Sequence, residues 1–308
     1  MMGPFDGQKV RGQFAGHETF PLRLLWLKKS HEVVGKNGVA LKTFHDPQAI
    51  VNLGVGKNMA ISMRHWSIAA NCIEESNNKL VATSLGRAIL ADDGFDPYLE
   101  CSATLWLIHW NLASKFVPAT TIYYAFNGIA GGEFDVETLN GQLADAIAAN
   151  GWRASAITLQ RDIEVFLRSY VTREDVDIED AAEPLLAELG LVRKIRSGGW
   201  YEFVRGSKPS LPNAIFIYAL LNFWDQHHPS LKTLTAEQVC YDVGSPGRVF
   251  KLDEDSVVTR LLQAESLTEG ALRWTDTAGL RQVQRTATPE KMKLIARAYQ
   301  SRVQSSAQ

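Results

Sequence analysis

The chain has 308 residues, 45% of them hydrophobic and 21% charged, with 32 Lys/Arg against 34 Asp/Glu and a formal net charge of −2. That balance predicts a globular protein of two or three packed units and excludes a disordered chain, a collagen-like or coiled-coil rod, and a uniformly basic nucleic-acid binder. The charge is unevenly spread. Residues 1–90 carry 11 Lys/Arg and 6 Asp/Glu, residues 91–190 carry 5 and 17, and residues 191–308 carry 16 and 11. Both ends can face phosphates, whereas the acidic centre suits solvent or a basic partner. The three cysteines, Cys72, Cys101 and Cys240, are far apart and predict neither a disulfide framework nor a zinc ribbon. The apolar run Ile215–Leu221 is far shorter than the ~20 residues of a membrane span. No apolar signal core stands in MMGPFDGQKVRGQF, so a cytoplasmic, membrane-free protein is expected.

In chain order, Pro21–Val34 predicts a helix opened by Pro21, with Leu22, Leu25, Trp26 and Val33 near helical spacing. Asp46 before Pro47 predicts a capped short helix ending at Gly54, and Asn58 is expected to cap the helix that follows. KLVATSLGRAIL reads as a strand, then a helix from about Ser84. Helix, short helix, tight turn, helix and strand is the layout of a helix-turn-helix with a wing, whose second helix projects toward a major groove. Helices are expected over Pro97–Ser114 and PATTIYYAFNGI, with Asp135 and Ser155 capping two more. LVRKIRSGGWYEFVRG is a hairpin around Ser197-Gly198-Gly199. Beyond it come an aromatic helix over Pro212–Asp225, helices capped by Thr235 and Asp253, and a last helix from Pro289 to about Arg302. RWTDTAGLRQV echoes VATSLGRAIL and hints at a repeat. The expected fold is mainly α with small β-hairpins, arranged as tandem winged-helix-like (helix-turn-helix) units over residues 1–114, 115–210 and 211–308.

Chemistry-bearing patterns are few. GVGKN lacks the spacing and the Ser/Thr of a phosphate-cradling loop, and His227-His228 are adjacent and do not converge on a metal. The basic positions carry more. Lys57, Asn58, Arg64, His65, Lys79 and Arg87 in the first unit are candidate DNA contacts, with Lys57 and Asn58 at the start of the candidate recognition helix. Around the hairpin, Arg193, Lys194, Arg196, Arg205 and Lys208 form a second basic set, as in a wing that follows the backbone or minor groove. In FAGHETF, His17 beside Glu18 offers acid–base chemistry or a cation ligand; a helix-capping role is the alternative.

FAGHETFPLRLLWLKK, LGVGKNMAISMRHWSIAA and LVATSLGRAIL resemble a bacterial family of unknown-function domains over about residues 12–300. The resemblance implies an SspB-like subunit of the single-strand DNA phosphorothioation system. Its implied partners are DNA, a cysteine desulfurase, an ATPase and an ATP-pyrophosphatase-like enzyme. It also implies DNA nicking that admits sulfur, with Mg²⁺ or Mn²⁺ as the cofactor of a nicking enzyme and no cofactor otherwise. No catalytic set transfers residue by residue; His17, Glu18 and the nearby Asp6 are the candidates, and the metal ligands are unknown. Alternatives are a non-catalytic DNA-binding adaptor that recruits the sulfur-transfer enzymes, and a winged-helix transcriptional regulator. A homodimer is compatible with each reading.

Overall fold

The computed structural model describes residues 4–5, 10–129, 131–172, 184–196, 199–277 and 279–305, and the expected turn residues Ser197 and Gly198 lie outside them. Side-chain caps open many of the helices. Asp6 and the side chain of Arg196 lie outside the described set. Two compact units divide at 203/204. The first two expected segments therefore share one unit, and the break precedes Arg205 and Lys208 instead of following them.

In the unit of residues 3–203, the first segment runs α1 (Trp26–Val34), β1 (Val39–Ala40), α2 (Pro47–Leu53), α3 (Lys57–Ala69), β2 (Ile73–Ser76), β3 (Lys79–Ala82) and α4 (Ser84–Leu90). Asp46 caps α2 by accepting from the Gln48 N–H, and Thr83 caps α4 by accepting from Gly86. Then come α5 (Ser102–Ser114) and α6 (Thr120–Gly128), β4 (Glu133–Asp135), α7 (Val136–Ala149), α8 (Ala156–Tyr170), β5 (Val192–Arg196) and β6 (Trp200–Phe203). Asp135 and Ser155 cap α7 and α8 through the N–H groups of Thr138 and Thr158. Helix α5 is apolar around most of its circumference and is buried along nearly its whole length, the expected fate of such a helix.

In the unit of residues 204–308, α9 (Asn213–His227) is the buried central helix. Around it lie β7 (Thr233–Thr235), α10 (Ala236–Tyr241), α11 (Pro246–Val249), α12 (Glu254–Leu261), α13 (Ala264–Leu267), β8 (Leu272–Thr277), β9 (Leu280–Arg285) and α14 (Lys291–Ser305), the last packing on α9. Thr235 and Gln238 form a reciprocal capping box, and Asp253 caps α12.

The fold is mainly α with three small antiparallel sheets, ordered β1-β3-β2, β4-β6-β5 and β7-β9-β8. In each, a short strand after a helix pairs with the second strand of a later hairpin, and helices intervene. The same order of helix, strand, helices and hairpin thus occurs three times.

Three local expectations are corrected. Helix α1 starts at Trp26, not Pro21, because Leu25 adopts a left-handed φ of 66° that ends the preceding loop. Asn58 is not a cap; Gly56 occupies that position and α3 begins at Lys57. RWTDTAGLRQV is a hairpin, β8 to β9, whereas VATSLGRAIL passes from β3 into α4, so the two phrases do not mark equivalent structure.

Candidate functional site

The segment FAGHETF forms a tightly clamped loop before α1. Ala15, Glu18, Thr19 and Leu25 all have positive φ, at 62°, 47°, 66° and 66°. Non-glycine residues hold such conformations only where their surroundings over-determine them. Here the surroundings come from three helices. Gln13 N–H donates to Thr120 Oγ1 on α6 at 2.9 Å, and Trp66 Nε1 on α3 donates to Phe20 O at 2.9 Å. Arg168 on α8 donates to Thr19 O. Ala15 N–H donates to Asp162 Oδ1 on α8 at 2.8 Å.

Asp162 is the centre of this clamp. It is 4% exposed and also receives His17 Nε2 at 3.0 Å and the Thr121 hydroxyl at 3.0 Å. Thr19 N–H donates to His17 Nδ1 at 3.2 Å. Because Nδ1 accepts, the network assigns the ring proton to Nε2, which donates to Asp162. Both nitrogens of His17 are therefore engaged inside the protein. The ring stacks near Trp66, with centroids 5.9 Å apart, and lies 5.8 Å from His65. Gly16 permits this approach, since a Cβ there would sit 2.5 Å from His65 Nδ1. A cavity of only about 10 Å³ remains among these groups.

Glu18 turns the other way. With Thr19, Asn58, Val136, Arg161, Glu164, Leu167, Arg168 and Tyr201 it lines an open cleft of about 860 Å³. The clamped loop thus places His17 in the core and its neighbour Glu18 at the cleft. Arg161 and Arg168 supply positive charge there, Tyr201 an aromatic face, and Glu18 and Glu164 hard oxygen donors of the kind Mg²⁺ takes. Among the described residues no three His, Cys, Asp or Glu side chains group as a metal site.

The expected DNA contacts divide into three kinds. Lys57, Asn58, Lys79 and Lys194 are exposed, Lys79 reaching Asn37 O at 3.5 Å. Arg64 pairs with Glu75, Arg193 grips Glu202 through Nε at 2.7 Å, and the exposed Arg87 donates to Ala82 O. His65 and Lys208 are corrections. His65 is 6% exposed, and burial pushes its imidazole down to about 3, with His17 and Arg64 adding to the shift. It faces the protein interior and not a groove. Lys208 is buried in the 204–308 unit, where it donates to Val204 O at 2.7 Å. Arg205 belongs to that unit too, exposed and bonded to Leu252 O at 2.6 Å. Arg196 contributes backbone to β5, paired with Trp200.

Sequence reasoning missed Asp162, Thr121, Arg161, Arg168 and Tyr201. For Asp162 a signal exists. It lies three residues after Leu159 and four before Phe166, on the apolar stripe of α8. A carboxylate on such a stripe demands buried donors.

A family model described as Protein of unknown function (DUF4007) matches residues 14–299. No curated protein matches the chain. Two solved structures are similar to it, "Magnesium ion-bound SspB crystal structure" and "SspB crystal structure". Each has a TM-score of 0.81 and 27% sequence identity, covering 94% of this chain and 87% of the other. Among the described residues no helix is long and apolar enough to cross a membrane.

Proposed function

The chain belongs to the family described as Protein of unknown function (DUF4007), and on that premise we propose that it is a DNA-binding subunit of a DNA phosphorothioate modification and anti-phage defence system. The observation that carries the reading is the threefold order of helix, strand, helices and hairpin with one strand order. We read these as winged-helix-like units, in which a turn sets the second helix at a steep angle and the hairpin lies beside it. In the first unit that second helix is α3, and it offers exposed Lys57 and Asn58. Exposed Lys194 on the β5–β6 hairpin and Arg161 and Arg168 at the cleft add positive charge. The likeness to SspB over 94% of the chain supports the assignment to that system, with its cysteine desulfurase, ATPase and ATP-pyrophosphatase-like enzyme as partners.

Nicking is the finer reading. Glu18 and Glu164 are the carboxylates that would hold Mg²⁺ or Mn²⁺ at the cleft, where the ion's chemistry is charge neutralisation and activation of a hydroxide. His17 acts as a positioning residue, because both of its nitrogens are committed within the clamp. That commitment favours a second reading, a non-catalytic adaptor that holds DNA for the sulfur-transfer enzymes.

One set of measurements tests both. Duplex binding, followed by fluorescence anisotropy, is expected to weaken steeply with salt, since each phosphate neutralised releases about 0.9 counterion. Lys57→Glu with Lys194→Glu is expected to weaken binding at least tenfold, whereas Arg193→Gln, which removes an ion-paired guanidinium, changes it less than threefold (about 1.4 kcal/mol is tenfold). Absence of duplex binding at low salt refutes the function. Supercoiled plasmid with Mg²⁺, Mn²⁺ or EDTA separates the two readings. Metal-dependent open circles lost in Glu18→Gln mean a nicking enzyme; intact plasmid with full binding means an adaptor.

A further inference from the structure

We propose that α8 is the DNA-reading helix of the second winged-helix-like unit, with Arg11 and Arg153 beside its first turn as the anchor for two backbone phosphates and Arg161 leading the strand on toward the cleft. This deepens the DNA-binding reading and rests on it.

The place of the helix supports the use. Helix α8 is the second α-helix after β4 and precedes the β5–β6 hairpin, as α3 is the second α-helix after β1 and precedes β2–β3. Both border the same cleft, which Asn58 of α3 and Arg161 of α8 line together. In a helix-turn-helix unit the N-terminal part of that second helix meets the bases, and cations around it hold the backbone. The N-terminal half of α8 is open on one side. Ala156, Ile157, Gln160 and Arg161 are exposed, and the first turn has no acidic residue. Ile157, 63% exposed, lies one turn before Arg161 on the same face, an apolar side chain that suits a thymine methyl.

The cations gather at the same place. Residues 91–190 are acidic as a whole, yet three of their five Lys/Arg, namely Arg153, Arg161 and Arg168, stand on α8 or just before it. The N-terminal segment adds another. Arg11 Nη2 donates to the Arg153 carbonyl, which brings two guanidinium groups to one exposed patch. The segment lies close, since a Cβ at Gly12 would sit 3.0 Å from Thr120 Cγ2 and 3.3 Å from Trp152 Cζ3. Among the described residues Arg11, Arg153 and Arg161 form no ion pair. Like charges gathered on one patch favour an anionic ligand.

Carboxylates grade this surface along the helix. Glu164, one turn beyond Arg161, accepts from Gln160 Nε2 at 3.1 Å and keeps its charge, and Glu18 lines the same cleft. Asp145 on α7 acts on Tyr124, whose phenol burial pushes up and Asp145 pushes further. Arg161 is therefore partly offset, and the surplus of positive charge lies with Arg11 and Arg153. From Ser155 to Arg161 the helix advances about 9 Å, which matches about two to three nucleotides of one strand. A strand anchored at the arginine pair and laid along α8 brings its next phosphates to the cleft.

The test uses the full chain and a fluorescein-labelled duplex of about 20 base pairs, followed by anisotropy in EDTA at several salt concentrations. Arg11→Gln with Arg153→Gln is expected to weaken binding at least tenfold at about 0.1 M salt and to lower the salt slope by about 2, one phosphate for each guanidinium. Circular dichroism melts accompany each variant. If the double variant melts early, Arg153→Gln alone, which leaves the carbonyl that holds Arg11, should still lower the slope by about 1. Glu164→Gln removes the opposing charge and should tighten binding about two- to threefold in EDTA. A control with the same change of net charge as the arginine pair, Arg273→Gln with Lys293→Gln, alters two ion-paired cations of the other unit and should leave the slope unchanged. Equal losses in the control and the arginine pair overturn this surface. An unchanged slope in the Arg11 and Arg153 variants, with the unsubstituted chain still binding, overturns it as well, and unchanged or weaker binding by Glu164→Gln overturns the path along α8. Failure of the unsubstituted chain to bind any DNA overturns the function and this surface together.

Discussion

Removing the carboxylate at the centre of the clamp should unfold far more than one contact. Asp162→Ala deletes the acceptor for Ala15 N–H, His17 Nε2 and the Thr121 hydroxyl, all within 3.0 Å of a side chain that is 4% exposed. Each buried donor left unsatisfied costs about 1–3 kcal/mol. The three share one acceptor and one loop, so their losses do not add, and about 3–5 kcal/mol is expected in total. The loop's left-handed residues then lose the contact that holds them, which should loosen residues 13–20 first. Asp162→Asn separates hydrogen bonding from charge. Its amide oxygen can still accept from Ala15 and His17, and its NH₂ can donate to Thr121 Oγ1, whose hydroxyl rotates to suit. That variant should lose only about 1 kcal/mol. Urea unfolding monitored by near-ultraviolet circular dichroism reads both, with the m-value checked for constancy. Equal losses for Ala and Asn would show that charge, not the hydrogen-bond network, holds the clamp. A loss below about 1 kcal/mol for Ala would refute the clamp itself.

Two further outcomes follow from the same unit. His65 titrates at about 3 when folded against about 6.5 unfolded, so the native state binds this proton less tightly. Its contribution is fully present above about pH 6.5 and is lost as pH falls toward 3. Stability should drop by about 2 kcal/mol between pH 7 and pH 5, and His65→Gln should flatten that slope in paired urea titrations; a parallel slope in the variant refutes the assignment. Gly86→Ala places a Cβ 2.0 Å from the backbone oxygen of Cys72, at the start of α4. Nothing flexible can yield there, so the melting temperature should fall by several degrees, about 3 kcal/mol or more, and an unchanged melt would show that the helix packs elsewhere.

Features that depend on neighbours in sequence were legible. Asp46, Asp135, Ser155, Thr235 and Asp253 each cap the helix expected of them, because a cap needs only a short polar side chain and an N–H two or three residues on. The β5–β6 hairpin was legible for the same reason. What was not legible depends on partners far away in the chain. His17 and Asp162 are 145 residues apart, and no spacing rule joins them. The basic pattern offers His65 as a DNA contact, but Gly16 lets the FAGHETF loop close over it. Net charge misled in a similar way. Arg193, Lys194, Arg205 and Lys208 read as one basic stretch, yet Glu202 neutralises Arg193, Val204 O takes Lys208 into the interior, and the unit boundary separates Lys194 from Arg205. Whether a cation remains available to phosphate is decided by its burial as well as its acceptor: Lys208 is withdrawn by burial although a carbonyl holds it, and Arg193 is neutralised by a carboxylate although it is exposed, distinctions that only tertiary structure makes.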